Sequence, residues 1–316
     1  MEVQFLNNTF SFNLKIDKFD IPAEAVYPVF FIGVFMYVFS VLSNGTMLAL
    51  IVTQRSLHKP MFYIFFSLPL TDLVGITCSL PRLLVDIITQ TNNIYYPTCV
   101  LQGFLIHLYG GSICLNMMAM SFDRYIAICK PLRYNSIMSP LIVSCIIALV
   151  WGLDIALILV LFALQARLPK CKTFIANVYC NNPSLLQLTC GGDSTVNNVY
   201  GLFITGFLQI GSVSVQLLSY VQILITCISR SQPDARIKAI NTCLAQIITY
   251  FIFVTVSAFN IISYRLENAS SNTQKICSIV MFTFLPVVNP VIYGIKTRDI
   301  RNALFVVVKK HKVTCS

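Results

Sequence analysis

The segment that decides the fold is residues 25–53, which read AVYPVFFIGVFMYVFSVLSNGTMLALIVT. It carries no charged side chain between Glu24 and Arg55. A membrane-spanning helix needs about 20 apolar residues, because each residue adds about 1.5 Å along a hydrocarbon core about 30 Å thick. The segment is long enough to cross a bilayer. It is continuously apolar rather than alternating, which favours a helix over a strand of a membrane β-barrel.

Six further apolar windows follow this segment. Four of them lack an internal charge, and the other two each contain one acid, Asp72 or Asp154. The sequence therefore predicts an all-α membrane protein, a seven-transmembrane helix bundle forming a single domain over residues 1–316 and ending in a short amphipathic helix. The expected spans are about 26–53, 61–86, 97–129, 138–164, 197–228, 238–263 and 273–295, and the surface helix is expected at about 297–309.

The composition excludes several functional classes. Of 316 residues, 56% are hydrophobic and 11% are charged, and the mean hydropathy is +0.76. A soluble domain is about 25% charged, so a soluble globular enzyme is not expected. We find no metal-ligand spacing, nucleophile elbow or phosphate loop, and we expect neither an enzyme nor a cofactor. A transporter is disfavoured because no inverted repeat is visible.

The basic residues predict the orientation of the bundle. Of the 22 Lys and Arg residues, 14 lie in the loops after the first, third and fifth spans and in the C-terminal tail. The positive-inside rule assigns that side to the cytoplasm of a plasma membrane and the N-terminus to the outside. The acceptor sequon at Asn7 agrees, since glycosylation requires the outer side. The net charge of +10 is then a topology signal that also suits membrane lipids, and nucleic acid is not an expected partner.

The twelve cysteines separate by compartment. Most lie in spans or on the cytoplasmic side, where thiols stay reduced. Four lie on the outer side: Cys99, Cys171, Cys180 and Cys190. Four cysteines allow three pairings, and the residues alone do not choose among them. A bridge from Cys99 would hold the long loop at about 165–197 over the mouth of the bundle.

Short motifs stand in a fixed order along the spans. Residues 118–134 read MAMSFDRYIAICKPLRY, residues 59–63 read KPMFY, residues 238–243 read KAINTC and residues 286–293 read PVVNPVIY. Trp151 is the only tryptophan and lies in the fourth span. In this order the motifs resemble those of the rhodopsin-like G-protein-coupled receptors, and most closely the odorant (olfactory) receptors, in the style of fish-type members.

The resemblance implies a function and a setting. It implies that a small odorant binds in a pocket near the outer side and that a stimulatory, olfactory-type G protein is activated, which raises cyclic AMP. The location would be the sensory cilia of olfactory neurons. A non-olfactory receptor for a peptide or lipid is the alternative. Among the three pairings, we predict Cys99–Cys180 and Cys171–Cys190, in line with the cysteine-rich loop of these receptors.

The resemblance also implies an activation switch and a polar core. The expected switch residues are Asp123, Arg124, Tyr125, Tyr220, Asn289, Pro290 and Tyr293. The expected polar core contains Asn44 and Asp72, an intramembrane acid that is costly unless paired or hydrated, and Asn44 and Asn289 are its polar partners in the family. A sodium ion at Asp72 is disfavoured, because Ile113 stands where odorant receptors carry a glutamate, and no other metal is expected. Arg236 stands where many related receptors place the acid that locks Arg124.

The pocket is predicted from matching positions. The expected ligand-binding residues are His107, Arg265, Ile106, Gly110, Gly111 and Ile261. Ile106 stands where amine receptors carry an aspartate and Thr283 where opsins carry a lysine, so neither an amine bound by that route nor retinal is expected.

The pocket residues have plain structural alternatives. His107 and Arg265 together would suit a carboxylate or another polar acceptor. Otherwise His107 makes an interhelical hydrogen bond and Arg265 anchors at lipid headgroups. Gly110 and Gly111 would let a ligand or a neighbouring helix approach closely.

Three residues keep open roles. The sixth span lacks the tyrosine that odorant receptors carry in mid-span, and Tyr250 is the candidate substitute. Cys315 is either palmitoylated or a free thiol. Asp154 has no assigned role.

Overall fold

The computed structural model describes the backbone of residues 11–19, 21–229, 233–263 and 271–314. It also describes their side chains, except those of residues 233–242, 261–263, 271–274, 277, 278 and 310–314. Within these residues, seven helices are long and apolar enough to cross a membrane, which confirms the predicted all-α seven-helix bundle. The helices in chain order are α1 (Ala23–Thr53), α2 (Pro60–Phe65), α3 (Ser67–Thr89), α4 (Tyr96–Cys129), α5 (Tyr134–Ile137), α6 (Pro140–Ala166), α7 (Asn182–Leu186), α8 (Thr195–Ser229), α9 (Pro233–Ser263), α10 (Ser271–Lys296) and α11 (Arg298–Thr314).

The boundaries differ from the predicted ones in two informative places. The second span is interrupted at Phe66, so that α2 and α3 are separate helices. The reason is Pro69, which has no N–H to donate to the carbonyl of Phe65 one turn before it. The C-terminal helix α11 continues to Thr314, beyond the predicted end at about 309.

A small sheet, which the sequence analysis does not predict, closes one end of the bundle. It consists of β1 (Asn13–Ile16), β2 (Asn93–Tyr95) and β3 (Phe174–Ile175). The central strand β1 pairs antiparallel with β2 and parallel with β3. The alternating side chains Leu14 and Ile16 are buried beneath the sheet. The N-terminal segment is thereby attached to the bundle.

Two disulfides lie at the same end. They join Cys99 to Cys180 and Cys171 to Cys190, which are the predicted pairs. The first bridge ties the loop between α6 and α8 to the start of α4. We call this end, with its sheet and two bridges, the disulfide end. The opposite end, with Arg124 at the close of α4 and with α5 and α11, is the Arg124 end.

A proline in α10 explains the position of Asn44. Pro290 has no N–H, so the carbonyl of Pro286, one turn earlier, lacks its helical donor. Ser40 Oγ donates to that carbonyl at 2.9 Å and Asn44 Nδ2 donates to it at 2.8 Å. Within a membrane an unpaired carbonyl costs several kcal/mol. Asn44 therefore ties α1 to α10 at this proline, and it makes no hydrogen bond to Asp72.

Candidate functional site

A cavity of about 160 Å³ lies inside the bundle near the disulfide end. Its wall on α4 contains four of the predicted ligand-binding residues, Ile106, His107, Gly110 and Gly111. The other lining residues are Cys114, Ile158, Tyr179, Asn181, Ile204, Thr205, Leu208, Gln209, Phe253, Ser257, Asn260, Met281 and Phe282. Arg265 and the side chain of Ile261 lie outside the described residues, as do Asn7, Cys315 and the side chain of Arg236.

The loop held by the first disulfide closes the cavity. Gln102 of α4 joins this loop to α3. Its Oε1 accepts from the backbone N–H of Cys180 at 2.9 Å, and its Nε2 donates to the carbonyl of Cys78 at 2.8 Å. The residues on either side of Cys180 then reach the cavity, and Tyr179 packs edge-on against Phe282 with 5.3 Å between ring centroids. The disulfide thus positions part of the cavity wall.

His107 is fixed by a contact with this loop. Its Nε2 accepts from the backbone N–H of Asn182 at 3.1 Å, and its ring packs edge-on against Phe162 at 5.9 Å. His107 therefore makes a hydrogen bond to the loop between α6 and α8, and not the bond to another membrane-spanning helix that the sequence analysis gives as an alternative. A ring nitrogen that accepts carries no proton, so the imidazole is neutral and its proton is on Nδ1. This neutral ring cannot supply the positive charge for a carboxylate.

Gly111 makes room for a carboxylate of a neighbouring helix. An added Cβ at Gly111 would overlap Asp154 Oδ1 on α6. The other oxygen of Asp154 accepts from Ser112 Oγ at 2.5 Å, and the side chain is fully buried. Asp154 therefore clamps α6 to α4 behind the cavity wall. Gly110, in contrast, has nothing within 4 Å of its Cβ position.

A polar wall on α8 and α9 was missed by the sequence analysis. Gln209 Nε2 donates to Ser257 Oγ at 2.9 Å, and Thr205 and Asn260 line the cavity beside them. The signal was present in the sequence as polar residues spaced three or four apart within an apolar window, at Gln209, Ser212 and Gln216.

Tyr250 lies just below this polar wall. Its hydroxyl hydrogen-bonds to Ser212 of α8, and its ring centroid is 6.2 Å from that of Phe253, which lines the cavity. The predicted substitute for the missing tyrosine is thus coupled to the cavity through Phe253 and to α8 through its hydroxyl.

Asp72 is paired with Asn289, as the motifs imply. Asn289 Nδ2 donates to both carboxylate oxygens, at 3.1 and 2.9 Å, and Asp72 is fully buried. A cation here would have to compete with this amide group. The buried Ile113 offers no oxygen ligand at the position where odorant receptors carry a glutamate, and the sodium site stays a disfavoured prediction.

At the Arg124 end, the side chain of Arg124 pairs with its neighbour. Its guanidinium nitrogen lies 3.2 Å from Asp123 Oδ2. The other oxygen of Asp123 accepts from the hydroxyl of Tyr134 at 2.8 Å. Burial, together with the negative charge of Asp123, raises the pKa of Tyr134 above its usual range, so the phenol remains a donor. Tyr134 completes this cluster and was not among the predicted switch residues.

A second contact holds α9 at this end. Gln246 Nε2 donates to the carbonyl of Met117 at 2.9 Å and to Ser121 Oγ at 2.7 Å, both on α4. The sequence predicts no contact between α4 and α9 here, because Arg236 stands where many related receptors carry the acid that pairs with Arg124. The amide of Gln246 supplies such a contact.

The remaining predicted switch residues lie in the same region. Tyr293 is buried, with its ring 4.5 Å from that of Phe65. Tyr220 packs on the cluster that contains Cys227 and Cys243. Tyr125 is partly exposed, and Lys130 Nζ lies 5.7 Å from the centroid of its ring.

Comparison with known proteins identifies the family. The family model for olfactory receptors matches residues 33–311. The chain is 34% identical to olfactory receptor 52J3 of Homo sapiens over 278 residues, covering 87% of this chain and 89% of that protein. It is 32% identical to olfactory receptor 8B3 of Mus musculus over 283 residues, covering 89% and 88%. The fish-type style stays a prediction.

A solved structure supports the fold alone. The crystal structure of squid rhodopsin superposes with a TM-score of 0.74 at 15% identity, covering 95% of this chain and 89% of that one. The predicted rhodopsin-like architecture is confirmed by this match, and the predicted family by the sequence relatives. The chain is a multi-pass membrane protein and a member of the olfactory receptor family.

Proposed function

We propose that this chain is an odorant receptor that binds a small polar odorant in the cavity near the disulfide end and activates a stimulatory G protein, which raises cyclic AMP. The observation that carries the proposal is that one helix, α4, bears both the cavity wall and the Arg124–Asp123 ion pair. A ligand that binds in the cavity and shifts α4 relative to α9 would also move the Arg124–Asp123 pair at the other end of α4.

The disulfide end is placed outside the cell in this proposal. Disulfides persist in oxidising compartments, and the basic residues are concentrated at the opposite end. The N-terminus is then extracellular and the C-terminus cytoplasmic, in the plasma membrane of sensory cilia. Protease or epitope accessibility on intact cells tests this orientation.

The carboxylate version of the ligand depends on Arg265. His107 is neutral, and none of the other described lining residues carries a positive charge. If a carboxylate odorant binds, Arg265→Ala must reduce its potency strongly, while the potency of a neutral analogue of equal length stays unchanged.

The test of the proposal is a cyclic AMP assay in cells that express the chain. A panel of small odorants should contain at least one compound that raises cyclic AMP, and Arg124→Ala should abolish the response at equal surface expression. The control is Arg298→Ala, which removes the same charge from an exposed position on α11 and should leave the response in place. An intact response in Arg124→Ala would contradict the proposal.

A further inference from the structure

The described lining of the cavity carries no formal charge. Its ionisable members are the neutral His107, the thiol Cys114 and the phenol Tyr179. The carboxylate of Asp154 lies behind Gly111 and belongs to the α4–α6 clamp rather than to the lining. A charged ligand would lose its hydration in this cavity without gaining a counter-charge from these residues.

One wall of the cavity offers a hydrogen-bond donor. Because Nε2 of His107 accepts from Asn182, the proton of the ring is on Nδ1. No described residue accepts a hydrogen bond from Nδ1. The packing against Phe162 fixes the plane of the ring. His107 can therefore bind an acceptor on the ligand, such as a carbonyl oxygen.

The part of the lining on α8 and α9 offers acceptors. Ser257 Oγ donates its hydrogen to the carbonyl of Val254 at 3.1 Å, so it must accept from Gln209, and this fixes the amide nitrogen of Gln209 on Ser257. The amide oxygen Oε1 is then directed away from Ser257. The hydroxyl of Thr205 donates to the carbonyl of Gly201 at 2.7 Å, which leaves its lone pairs for the ligand. This wall can therefore bind a hydroxyl hydrogen on the ligand.

From this polarity we infer that the odorant is a small neutral hydroxycarbonyl compound, whose carbonyl oxygen accepts from His107 Nδ1–H and whose hydroxyl donates to the wall formed by Gln209 and Thr205. Its hydrocarbon part would pack against Ile106 and Phe253, which also line the cavity. A carboxylate has only acceptors and an alkylammonium has only donors, so each would leave one wall unmatched. This inference rests on the function proposed above and specifies its ligand class.

The experiment uses the full-length chain and four probes of equal chain length. They are a five-carbon hydroxyketone with its carbonyl at carbon 2 and its hydroxyl at carbon 4, the parent ketone, the parent alcohol and the carboxylate. Binding is measured by the shift in thermal unfolding of purified protein, and signalling by cyclic AMP. The hydroxyketone should be the most potent probe, by about tenfold over each single-group compound, because tenfold corresponds to about 1.4 kcal/mol, the order of one hydrogen bond.

Two variants separate the two ends of the ligand. Gln209→Met should lower the potency of the hydroxyketone about tenfold and leave that of the parent ketone unchanged. His107→Met keeps a weak acceptor, the thioether sulfur, for the Asn182 N–H but has no hydrogen to donate, so it should lower the potency of the ketone but not that of the alcohol. The matched control is Gln222→Met, an exposed glutamine on the same helix α8, which should change neither.

Several outcomes would overturn the inference. They are a carboxylate that is the best probe, a hydroxyketone no better than the ketone or the alcohol, and a panel in which no probe shifts thermal unfolding. In each case the proposed receptor function stands if any other odorant raises cyclic AMP and that response requires Arg124. It fails separately if no odorant does so.

Discussion

The two ends of this bundle are held together by different kinds of bond. The disulfide end has two covalent bridges, a three-stranded sheet and an ion pair of 2.7 Å between Lys275 and Asp17. The described polar contacts of the Arg124 end are noncovalent, chiefly those of Asp123 with Arg124 and Tyr134 and those of Gln246 with α4. Each such contact is worth about 1–3 kcal/mol.

The difference indicates where the molecule can move. Covalent bridges do not exchange at room temperature, whereas a contact of a few kcal/mol opens and closes within an ensemble. We therefore expect the disulfide end to keep its shape and the Arg124 end to change shape more easily. The predictions below separate stability, which should depend on the disulfide end, from ligand-independent signalling, which should depend on the Arg124 end.

Removal of the first disulfide should have the largest effect. Cys99→Ala with Cys180→Ala opens a bridge that joins residues 81 positions apart, whereas Cys171→Ala with Cys190→Ala opens one of 19. Chain entropy predicts a cost of about 4–5 kcal/mol for the first and about 1 kcal/mol less for the second. Thermal unfolding of the purified protein and the surface-expressed fraction measure both. If both double variants lose the same amount of stability, the length of the closed loop does not determine how much each disulfide stabilises the protein.

Gln246→Leu should release α9 at the Arg124 end. The change removes two hydrogen bonds to α4, at a cost of about 1–3 kcal/mol. Cyclic AMP without odorant should rise several-fold at matched surface expression. Gln222→Leu, the same change at an exposed site of α8, should leave it unchanged. A basal signal that does not rise would mean that Gln246 does not hold the resting state.

Tyr134→Phe should produce a smaller rise in the same signal. It removes one hydrogen bond to a carboxylate, worth about 1.5–3 kcal/mol, part of which a partly exposed Arg124 can recover by pairing with the free oxygen of Asp123. The control is Tyr63→Phe, since Tyr63 is 44% exposed and has no hydrogen bond among the described contacts. If both tyrosine variants behave alike, the Asp123 contact has no role in the resting state.

Asp17→Asn should have the smallest effect, and it should fall on stability. The Asp17 side chain is 33% exposed, so its ion pair with Lys275 is partly screened and worth about 1 kcal/mol or less. The melting temperature should fall slightly and the basal signal should stay constant. Asp299→Asn, which breaks the more exposed pair with Lys59, should change neither. A rise in basal signal from Asp17→Asn would contradict the separation of the two ends.

The sequence predicts the helices well because a helix that crosses a membrane must be continuously apolar and about as long as the hydrocarbon core is thick. It does not predict the sheet, because strands of two to four residues in polar loops have no periodic signal. It places Ile106, His107, Gly110 and Gly111 in the cavity wall through resemblance alone. It does not pair Asp154 with Ser112 or Gln246 with Ser121, because such partners depend on which helices become neighbours and at what rotation.

The contact between Gly111 and Asp154 also constrains the order in which this receptor can change. With Asp154 present, any side chain at position 111 would overlap its carboxylate, so a substitution there requires the Asp154 side chain to move. If Asp154 is replaced first by a small residue, the space opens and both positions become free to vary. Lineages that descend from this sequence can therefore gain a side chain at position 111 more readily after losing the acid behind it, whereas position 110 is open without that loss.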